Sequence, residues 1–149
     1  MTELLQLIEK AAKEGTTSLD FSNQGLTELP PELGQLTHLE GLDLSDNQLV
    51  GLPSQIGQLS NLTKLDISYN QLTALPPEIG QLTNLTYLHL GGNQLTGLPP
   101  TIGQLTQLKR LLLGDVFGGN PLTESLLTSP PPDIVEQGTQ AIFASLQAQ

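Results

Sequence analysis

Leucine and isoleucine recur along most of this chain in a pattern that repeats every 23 residues. The segment LEGLDLSDNQL at 39–49 returns as LTKLDISYNQL at 62–72 and as LTYLHLGGNQL at 85–95. A degenerate first copy, TTSLDFSNQGL, occupies 16–26, and a broken fifth copy begins at Leu108. A fixed period of this length is typical of a solenoid, in which each unit packs only against its neighbours.

Within each copy, apolar residues first alternate with polar ones and then give way to a segment that contains proline. If Leu39 is counted as position 1, positions 4 and 6 are apolar, as in Leu42 and Leu44, and this period of two predicts a short strand. Stacked copies place such strands side by side in a parallel sheet. The second half of each copy reads L-x-x-L-P-x-x-[IL]-G-x-L. Because proline fixes φ and lacks a backbone donor, this half is predicted to form turns or 3-10 segments on the convex side.

Position 9 holds a polar residue in an otherwise apolar column. It is Asn47, Asn70 and Asn93 in the regular copies, with Gln24 in the first copy and a displaced Asn120 in the fifth. A buried polar side chain has to be hydrogen-bonded. An asparagine amide offers both a carbonyl and an NH2 group, so we expect bonds to turn backbones of the same and the following copy. The predicted role of these asparagines is structural.

The two ends of the column are predicted to be covered by helices, because a stack of repeats otherwise exposes leucines at both ends. Segment 1–15 has one apolar helical face and is the predicted N-terminal capping helix, and segment 133–149 is the predicted C-terminal one. The N-terminal face comprises Leu4, Leu7, Ile8, Ala11 and Ala12. The five repeats, 16–132 in all, occupy 16–38, 39–61, 62–84, 85–107 and 108–132, the last with insertions at 115–118 and 123–130.

The full repeat, L-x-x-L-x-L-x-x-N-x-L-x-x-L-P-x-x-[IL]-G-x-L, resembles the bacterial and Ras-related intracellular class of leucine-rich repeats. That resemblance implies an α/β fold, a leucine-rich repeat solenoid wound as a right-handed superhelix. Short parallel strands would line its concave side, and turns or 3-10 segments its convex side. Helical caps would close both ends.

The two flanks carry a narrower resemblance. The opening ELLQLIEKAAKEGTTSLDFSNQGLTELP and the exit GNPL…SPPPDIVEQGTQAIFASLQ are similar to the leucine-rich region of cyanobacterial Roco-type proteins. In that family the region precedes a Ras-like GTPase domain and its dimerisation partner. No G-x-x-x-x-G-K-[ST] motif occurs in the chain, so the resemblance extends to the repeat region alone.

Charge and composition restrict the possible partners. Fifteen acidic residues against five basic ones give a formal charge of −10, which argues against binding to nucleic acid phosphates or anionic membranes. The chain has no cysteine, so disulfides and thiolate metal sites are excluded. Its first 15 residues lack the apolar run of a secretory signal, and no run reaches the length of a membrane span. We therefore expect a cytoplasmic protein without a cofactor.

The candidate binding site lies on the predicted concave face, where positions 2, 3, 5, 7 and 8 point away from the column. This face is acidic in repeats one and two, whereas repeats three to five add tyrosine and arginine, the residue types enriched at interface hot spots. The partner-binding hypothesis combines this patch with the neighbouring insertion. Its residues are Lys64, Tyr69, Tyr87, His89, Arg110, Asp115 and Phe117. The alternative is a solvated sheet face that binds nothing.

Three aspartates, Asp20, Asp43 and Asp66, occupy position 5 of successive repeats and form a ladder of like charges. They indicate either a site for a cation or basic peptide, or a hydrated ladder partly neutralised by Lys64. We favour the hydrated ladder, because oxygen-ligand metal sites need more converging groups. No metal site is predicted.

Asp66, His89 and Ser68 also raise the question of catalysis, since they lie near one another in the predicted sheet. The sequence contains no nucleophile elbow and no glycine turn for an oxyanion hole, and an open sheet offers no pocket. We therefore predict no catalytic residues and no enzymatic activity.

Two hypotheses about function remain from the sequence. The first is an interaction module that holds a protein or peptide on the concave face and the repeat-five loops. The second is a structural or consensus-designed scaffold, or a self-associating regulatory fragment of a Roco-type GTPase. The expected oligomeric state is a monomer or a weak homodimer.

Overall fold

A computed structural model of the protein describes residues 2–113, which form a single row of stacked repeats. A helix comes first, and five three-residue strands follow at regular intervals. The elements are α1 (Thr2–Glu14), β1 (Ser18–Asp20), β2 (Gly41–Asp43), β3 (Lys64–Asp66), β4 (Tyr87–His89) and β5 (Arg110–Leu112). The 3-10 segments Pro31–Gln35, Ser54–Gln58, Pro77–Gln81 and Pro100–Gln104 alternate with the strands.

The strands form one parallel sheet in the order β1-β2-β3-β4-β5. Each residue pairs with its counterpart one repeat later, so that Leu42 lies opposite Leu65 and Leu65 opposite Leu88. The proline before each 3-10 segment has an extended backbone, as at Pro53 with φ −69° and ψ 150°. The 3-10 segment begins at the next residue and stays short. The predicted α/β solenoid, with strands on one side and 3-10 segments on the other, is confirmed.

The core is a continuous column of leucine and isoleucine between the sheet and the 3-10 segments. Strand residues Leu65 and Ile67 are fully buried, and Ile56 and Ile79 meet them from the 3-10 side with no exposed surface. At about 25 cal/mol per Å² of apolar surface, burial of this column is the main stabilising contribution to the fold. Because each unit contributes the same positions, the column extends through every described repeat.

Helix α1 covers the first repeat by packing against the 3-10 segment Pro31–Gln35. Leu4, Ile8 and Ala11 are buried on that side. The helix ends in a Schellman turn, in which the Thr16 N–H donates to the Ala11 carbonyl at 3.0 Å and Gly15 has a φ of 62°. The apolar face is narrower than predicted, since Leu7 is 52% exposed. A single shallow repeat surface contacts about one stripe of a helix, and Leu7 lies beside that stripe.

Close stacking of the 3-10 segments accounts for the glycine in the second and third L-P-x-x-[IL]-G-x-L units. A Cβ at Gly57 would lie 2.7 Å from the Glu78 carbonyl oxygen, and one at Gly80 would lie 2.5 Å from that of Thr101. Real Cβ atoms do not approach backbone oxygens so closely, so a side chain here would push neighbouring repeats apart. Glycine therefore sets the spacing of the convex side.

Three sequence predictions fall outside the described residues. They are the rest of the fifth repeat with its insertions at 115–118 and 123–130, the displaced Asn120, and the C-terminal capping helix at 133–149.

The position-9 asparagines form a buried hydrogen-bonded ladder. In the middle repeat, Asn70 Oδ1 accepts the Leu49 N–H at 3.0 Å, while Nδ2 donates to the carbonyls of Leu44 at 3.0 Å and Ile67 at 3.1 Å. Asn47 and Asn93 repeat the arrangement, and all three side chains are at most 7% exposed. The predicted structural role is confirmed, but the neighbouring repeat to which each asparagine bonds is not the predicted one. Each asparagine bonds to its own and the preceding repeat, not the following one, because the preceding turn carries the unpaired groups.

Replacing one rung tests how much the ladder contributes. Asn70→Ala should lower the free energy of unfolding by about 3 kcal/mol or more, because buried backbone groups of two repeats lose their partners. Urea denaturation measures the change. Asn84→Ala is the matched control, since Asn84 is exposed and its side chain donates to the Ser60 carbonyl at 2.9 Å. Its expected cost is below about 1 kcal/mol. Equal losses in the two variants would contradict a special role for the ladder.

Candidate functional site

The outward face of β1–β5, hereafter the sheet face, presents two columns of side chains set by the parallel register. The position-3 column runs Ser18, Gly41, Lys64, Tyr87, Arg110, and the position-5 column runs Asp20, Asp43, Asp66, His89, Leu112. Neighbours in a column are about 4.8 Å apart, the spacing of paired strands. The columns predicted from the repeat are therefore the ones that the structure contains.

Four side chains on β3, β4 and β5 make a contiguous polar and aromatic cluster. The guanidinium carbon of Arg110 lies 5.8 Å from the ring centroid of Tyr87, within cation–π range. The rings of Tyr87 and His89 meet edge to face, with centroids 6.4 Å apart and planes at 81°. His89 Nδ1 lies 3.7 Å from Asp66 Oδ1. We call Asp66, Tyr87, His89 and Arg110 the ring cluster.

The ring cluster shifts the pKa values of its members in opposite directions. Burial of Asp66 acts to raise the pKa of its carboxyl, but hydrogen bonds from His89 and from the hydroxyl and N–H of Ser68 outweigh burial and lower that pKa. Burial also raises the pKa of Tyr87; the carboxylates of Asp66 and Asp43 add to this rise, and Arg110 opposes it. At neutral pH the cluster therefore presents a carboxylate and a phenol that retains its proton as a donor.

The predicted site residues outside the ring cluster take different places. Lys64 is exposed and pairs with Tyr87 across β3 and β4. Tyr69 is 40% exposed and follows β3 at position 8. Asp115 and Phe117 lie outside the described residues. Lys64, Tyr69 and the ring cluster thus occupy neighbouring repeats on one side of the molecule.

Tyr69 has an unusual backbone conformation. Position 8 is left-handed in repeats one to four, with φ values of 54° at Asn23, 56° at Asp46, 56° at Tyr69 and 70° at Gly92. Asparagine, aspartate and glycine tolerate this region, whereas a bulky side chain is strained there. The Tyr69 ring lies directly against the backbone of Gly92, since a Cβ on that glycine would be 2.6 Å from the ring Cδ1. Apart from the order N, D, Y, G at position 8, nothing in the sequence predicts this contact.

The aspartate ladder has a structural role at the ends of the strands. Asp43 Oδ1 accepts the N–H and the hydroxyl of Ser45, at 2.9 and 2.6 Å, and Asp66 holds Ser68 in the same way. The hydroxyl and N–H of Ser22 lower the pKa of Asp20 correspondingly. The partial neutralisation of the ladder by Lys64 stays a prediction. Within the described residues, the basic side chain beside Asp66 is His89, because His89 is the next residue in the same column.

The arrangement of Asp66, His89 and Ser68 does not form a catalytic relay. The Ser68 hydroxyl donates to the same Asp66 Oδ1 that His89 approaches, so the histidine does not lie between the serine and the carboxylate. Ser68 is also only 3% exposed, which keeps its oxygen away from any substrate. Across residues 2–113, no set of three or more histidine, aspartate or glutamate side chains converges as metal ligands.

One polar groove was missed by the sequence analysis. It runs along the edge of the sheet where the strands begin and is lined by Glu40, Asn61, Thr63, Asn84, Thr86 and Gln107. Asn61 and Asn84 each donate to a carbonyl of the preceding repeat, and Thr63 and Thr86 do the same. The recurrence of N-x-T in two consecutive repeats was the available signal. These bonds give the groove walls a role in holding the repeats together.

The lowered pKa of Asp66 makes stability depend on pH. A carboxylate whose pKa is lower in the folded than in the unfolded state contributes stability above its ordinary pKa of 3.8, and loses it as pH falls through the folded value. Asp66→Asn keeps the acceptor for Ser68 but removes the titrating group, so the variant should lose less stability below about pH 4 than the wild type. Urea unfolding at several pH values checks this. Glu9→Gln on α1 controls for net charge, and identical acid slopes for Asp66→Asn and wild type would refute the assignment.

The contact between Tyr69 and Gly92 is tested by a double-mutant cycle. Gly92→Ala should be destabilising by about 1–2 kcal/mol from its left-handed backbone alone, and further because the new Cβ strikes the Tyr69 ring. In a Tyr69→Asn background the second part should vanish, because asparagine occupies the same conformation at Asn23 without a ring. Thermal and urea unfolding give the free energies. The same loss in both backgrounds would show that the ring does not constrain residue 92.

In the described part of the chain, no helix combines the length and apolar character needed to cross a membrane.

Comparison with known proteins identifies the fold family. A family model described as leucine rich repeat matches residues 14–72 and 60–115, which together cover more than half of the 149 residues. A search of curated protein sequences gave no match.

Many solved structures are similar to this chain, including the following two. A leucine-rich repeat protein of Leptospira interrogans is 50% identical with a TM-score of 0.63, over 64% of this chain and 24% of that protein. The plant peptide hormone receptor RGFR1, in complex with RGF2, is 32% identical with a TM-score of 0.63, over 74% of this chain and 19% of the receptor. The chain therefore spans a quarter or less of each. From its repeats, its parallel sheet and the family match, the chain belongs to the leucine-rich repeat family.

Proposed function

We propose that the chain is a protein-interaction module that holds a protein or peptide on the C-terminal half of the sheet face. The carrying observation is the ring cluster, which assembles tyrosine, histidine and arginine side chains in contact on adjacent strands before any partner arrives. We define the recognition patch as Lys64, Tyr69, Tyr87, His89 and Arg110, and expect Asp115 and Phe117 to extend it.

Two physical properties support this assignment. Tyrosine and arginine account for a disproportionate share of binding energy at interfaces, because each combines a large apolar surface with a directed polar group. Contacts within the ring cluster also restrict its side chains before binding, which reduces the rotamer entropy lost on association. A solvated face without a ligand gives no reason for these side chains to gather on repeats three to five.

The strain at Tyr69 supports the same patch. An exposed tyrosine in a left-handed conformation costs stability that asparagine or glycine at the same position would not. Sparsely populated backbone conformations of this kind concentrate at binding sites. Retention of tyrosine at position 8 is therefore accounted for by a contact with a partner.

The plant receptor RGFR1 supports a peptide as one class of partner, since its structure was solved in complex with RGF2. Similarity to a fifth of that receptor does not transfer its ligand. The competing proposal is a structural scaffold or a self-associating Roco-type fragment, which rests on the resemblance of the flanks. It predicts that changes in the recognition patch leave every association unaltered.

The experiment compares capture by the wild type and by Tyr87→Ala/Arg110→Ala. Proteins retained from an extract of the source cell by the wild type should be lost by the double variant, and the purified partner should bind at least about thirtyfold more weakly if each residue is a hot spot. Lys10→Ala/Lys13→Ala on α1 is the control for altered surface charge, and circular dichroism checks that each variant is folded. Undiminished affinity in the patch variant would sink the proposal.

A further inference from the structure

The basic residues of this acidic chain are unevenly distributed. Of the five lysine and arginine residues, Lys10 and Lys13 lie on α1, and the other three are Lys64, Lys109 and Arg110. Those three are exposed in repeats three and five, at or next to the position-3 column. Repeats one and two contribute only carboxylates to the charged residues of the sheet face, at Asp20, Glu40, Asp43 and Asp46. The face therefore has an acidic N-terminal half, whereas in the described part of its C-terminal half these three cations outnumber the carboxylate of Asp66.

Two of these cations flank an aromatic ring. The register pairs Lys64 with Tyr87 and Tyr87 with Arg110, so their backbones lie on three consecutive strands that span roughly 10 Å. Arg110 already lies over the Tyr87 ring at 5.8 Å. An anionic group placed beside the Tyr87 hydroxyl is therefore within reach of a cation from either side. Lysine and arginine side chains are long enough to close on it.

Within the described part of the chain, Lys64 and Arg110 form no salt bridge with a carboxylate. Within residues 2–113, the one basic side chain within 4.0 Å of a carboxylate oxygen is His89, at 3.7 Å from Asp66, and neither Lys64 nor Arg110 lies so close to one. In the neighbouring column, Asp66 accepts hydrogen bonds from Ser68 and lies 3.7 Å from His89. The Tyr87 hydroxyl adds a donor, since its raised pKa keeps it protonated.

We propose that the partner is an acidic peptide segment, with an aspartate or glutamate side chain held between Lys64 and Arg110 beside the Tyr87 hydroxyl. This inference rests on the proposed function and specifies the chemistry of its ligand. The acidic half of the sheet face repels the same segment from repeats one and two, which confines its carboxylates to repeats three to five. The segment thus binds in one orientation, with its neutral or basic end toward Glu40 and Asp43.

The test uses a library of random seven-residue peptides displayed on phage and panned against the full chain. Peptides recovered by the wild type should be enriched in aspartate and glutamate, although the chain itself carries a formal charge of −10. Lys64→Gln/Arg110→Gln should abolish the enrichment. Lys10→Gln/Lys13→Gln removes the same two charges from α1 and should leave it intact. A synthetic copy of the most enriched peptide should bind the patch variant roughly twofold to thirtyfold more weakly, the range for two exposed ion pairs.

Three results would overturn the inference. The first is an enriched set without acidic residues, and the second is equal enrichment by the wild type and Lys64→Gln/Arg110→Gln. The third is a wild-type dimer in sedimentation at low salt that Lys64→Gln/Arg110→Gln dissolves and Lys10→Gln/Lys13→Gln does not, because a second copy would then occupy the cations with its acidic half. Failure here is distinguishable from failure of the proposed function. If the chain selects neutral peptides but its capture of a partner still depends on Tyr87 and Arg110, the proposed function holds and only the acidic nature of the ligand is wrong.

Discussion

The structure depends on one constraint, which is that the turns leaving each strand pass through an apolar column and must find hydrogen-bond partners there. Asn47, Asn70 and Asn93 meet this requirement by accepting from and donating to the backbones of two consecutive repeats. Leucine burial supplies most of the stabilisation but is not directional. The asparagine ladder adds direction, because its geometry fixes how each repeat is placed on the one before it.

Fixed placement of the repeats is what makes the sheet face usable for recognition. Parallel strands in exact register convert residues 23 positions apart into direct neighbours, which brings Asp66 to His89 and Tyr87 to Arg110. These contacts do not depend on a folded pocket or a mobile loop. The face is open, so what it offers to other molecules is the side-chain chemistry along the columns, with carboxylates concentrated in repeats one and two.

The repeat period predicted the fold and the columns, because both follow from spacing alone. It did not predict features that depend on the shape of a packed surface, or on which of two neighbouring side chains contacts a third. Leu7 has the spacing of a buried helix residue but lies beside the narrow surface that α1 covers. The repeat pattern places Lys64 on the same strand as Asp66 and His89 at the same position of the next strand. The structure shows that His89 is the one that lies within 4.0 Å of the Asp66 carboxylate. The left-handed backbone at Tyr69 is set by the turn after the strand, and its ring contact with Gly92 joins residues 23 positions apart.

The left-handed position after each strand has a consequence for how this surface changes during evolution. Columns 3 and 5 lie in extended backbone, which accepts nearly any side chain, and they hold serine, lysine, tyrosine, arginine, aspartate, histidine and leucine. Position 8 tolerates few residue types, because most L-residues lower stability in a left-handed backbone conformation. New specificities can thus arise by drift in the two columns at little cost to folding. A large residue at position 8, such as Tyr69, carries a cost in backbone strain that residues in the two columns do not.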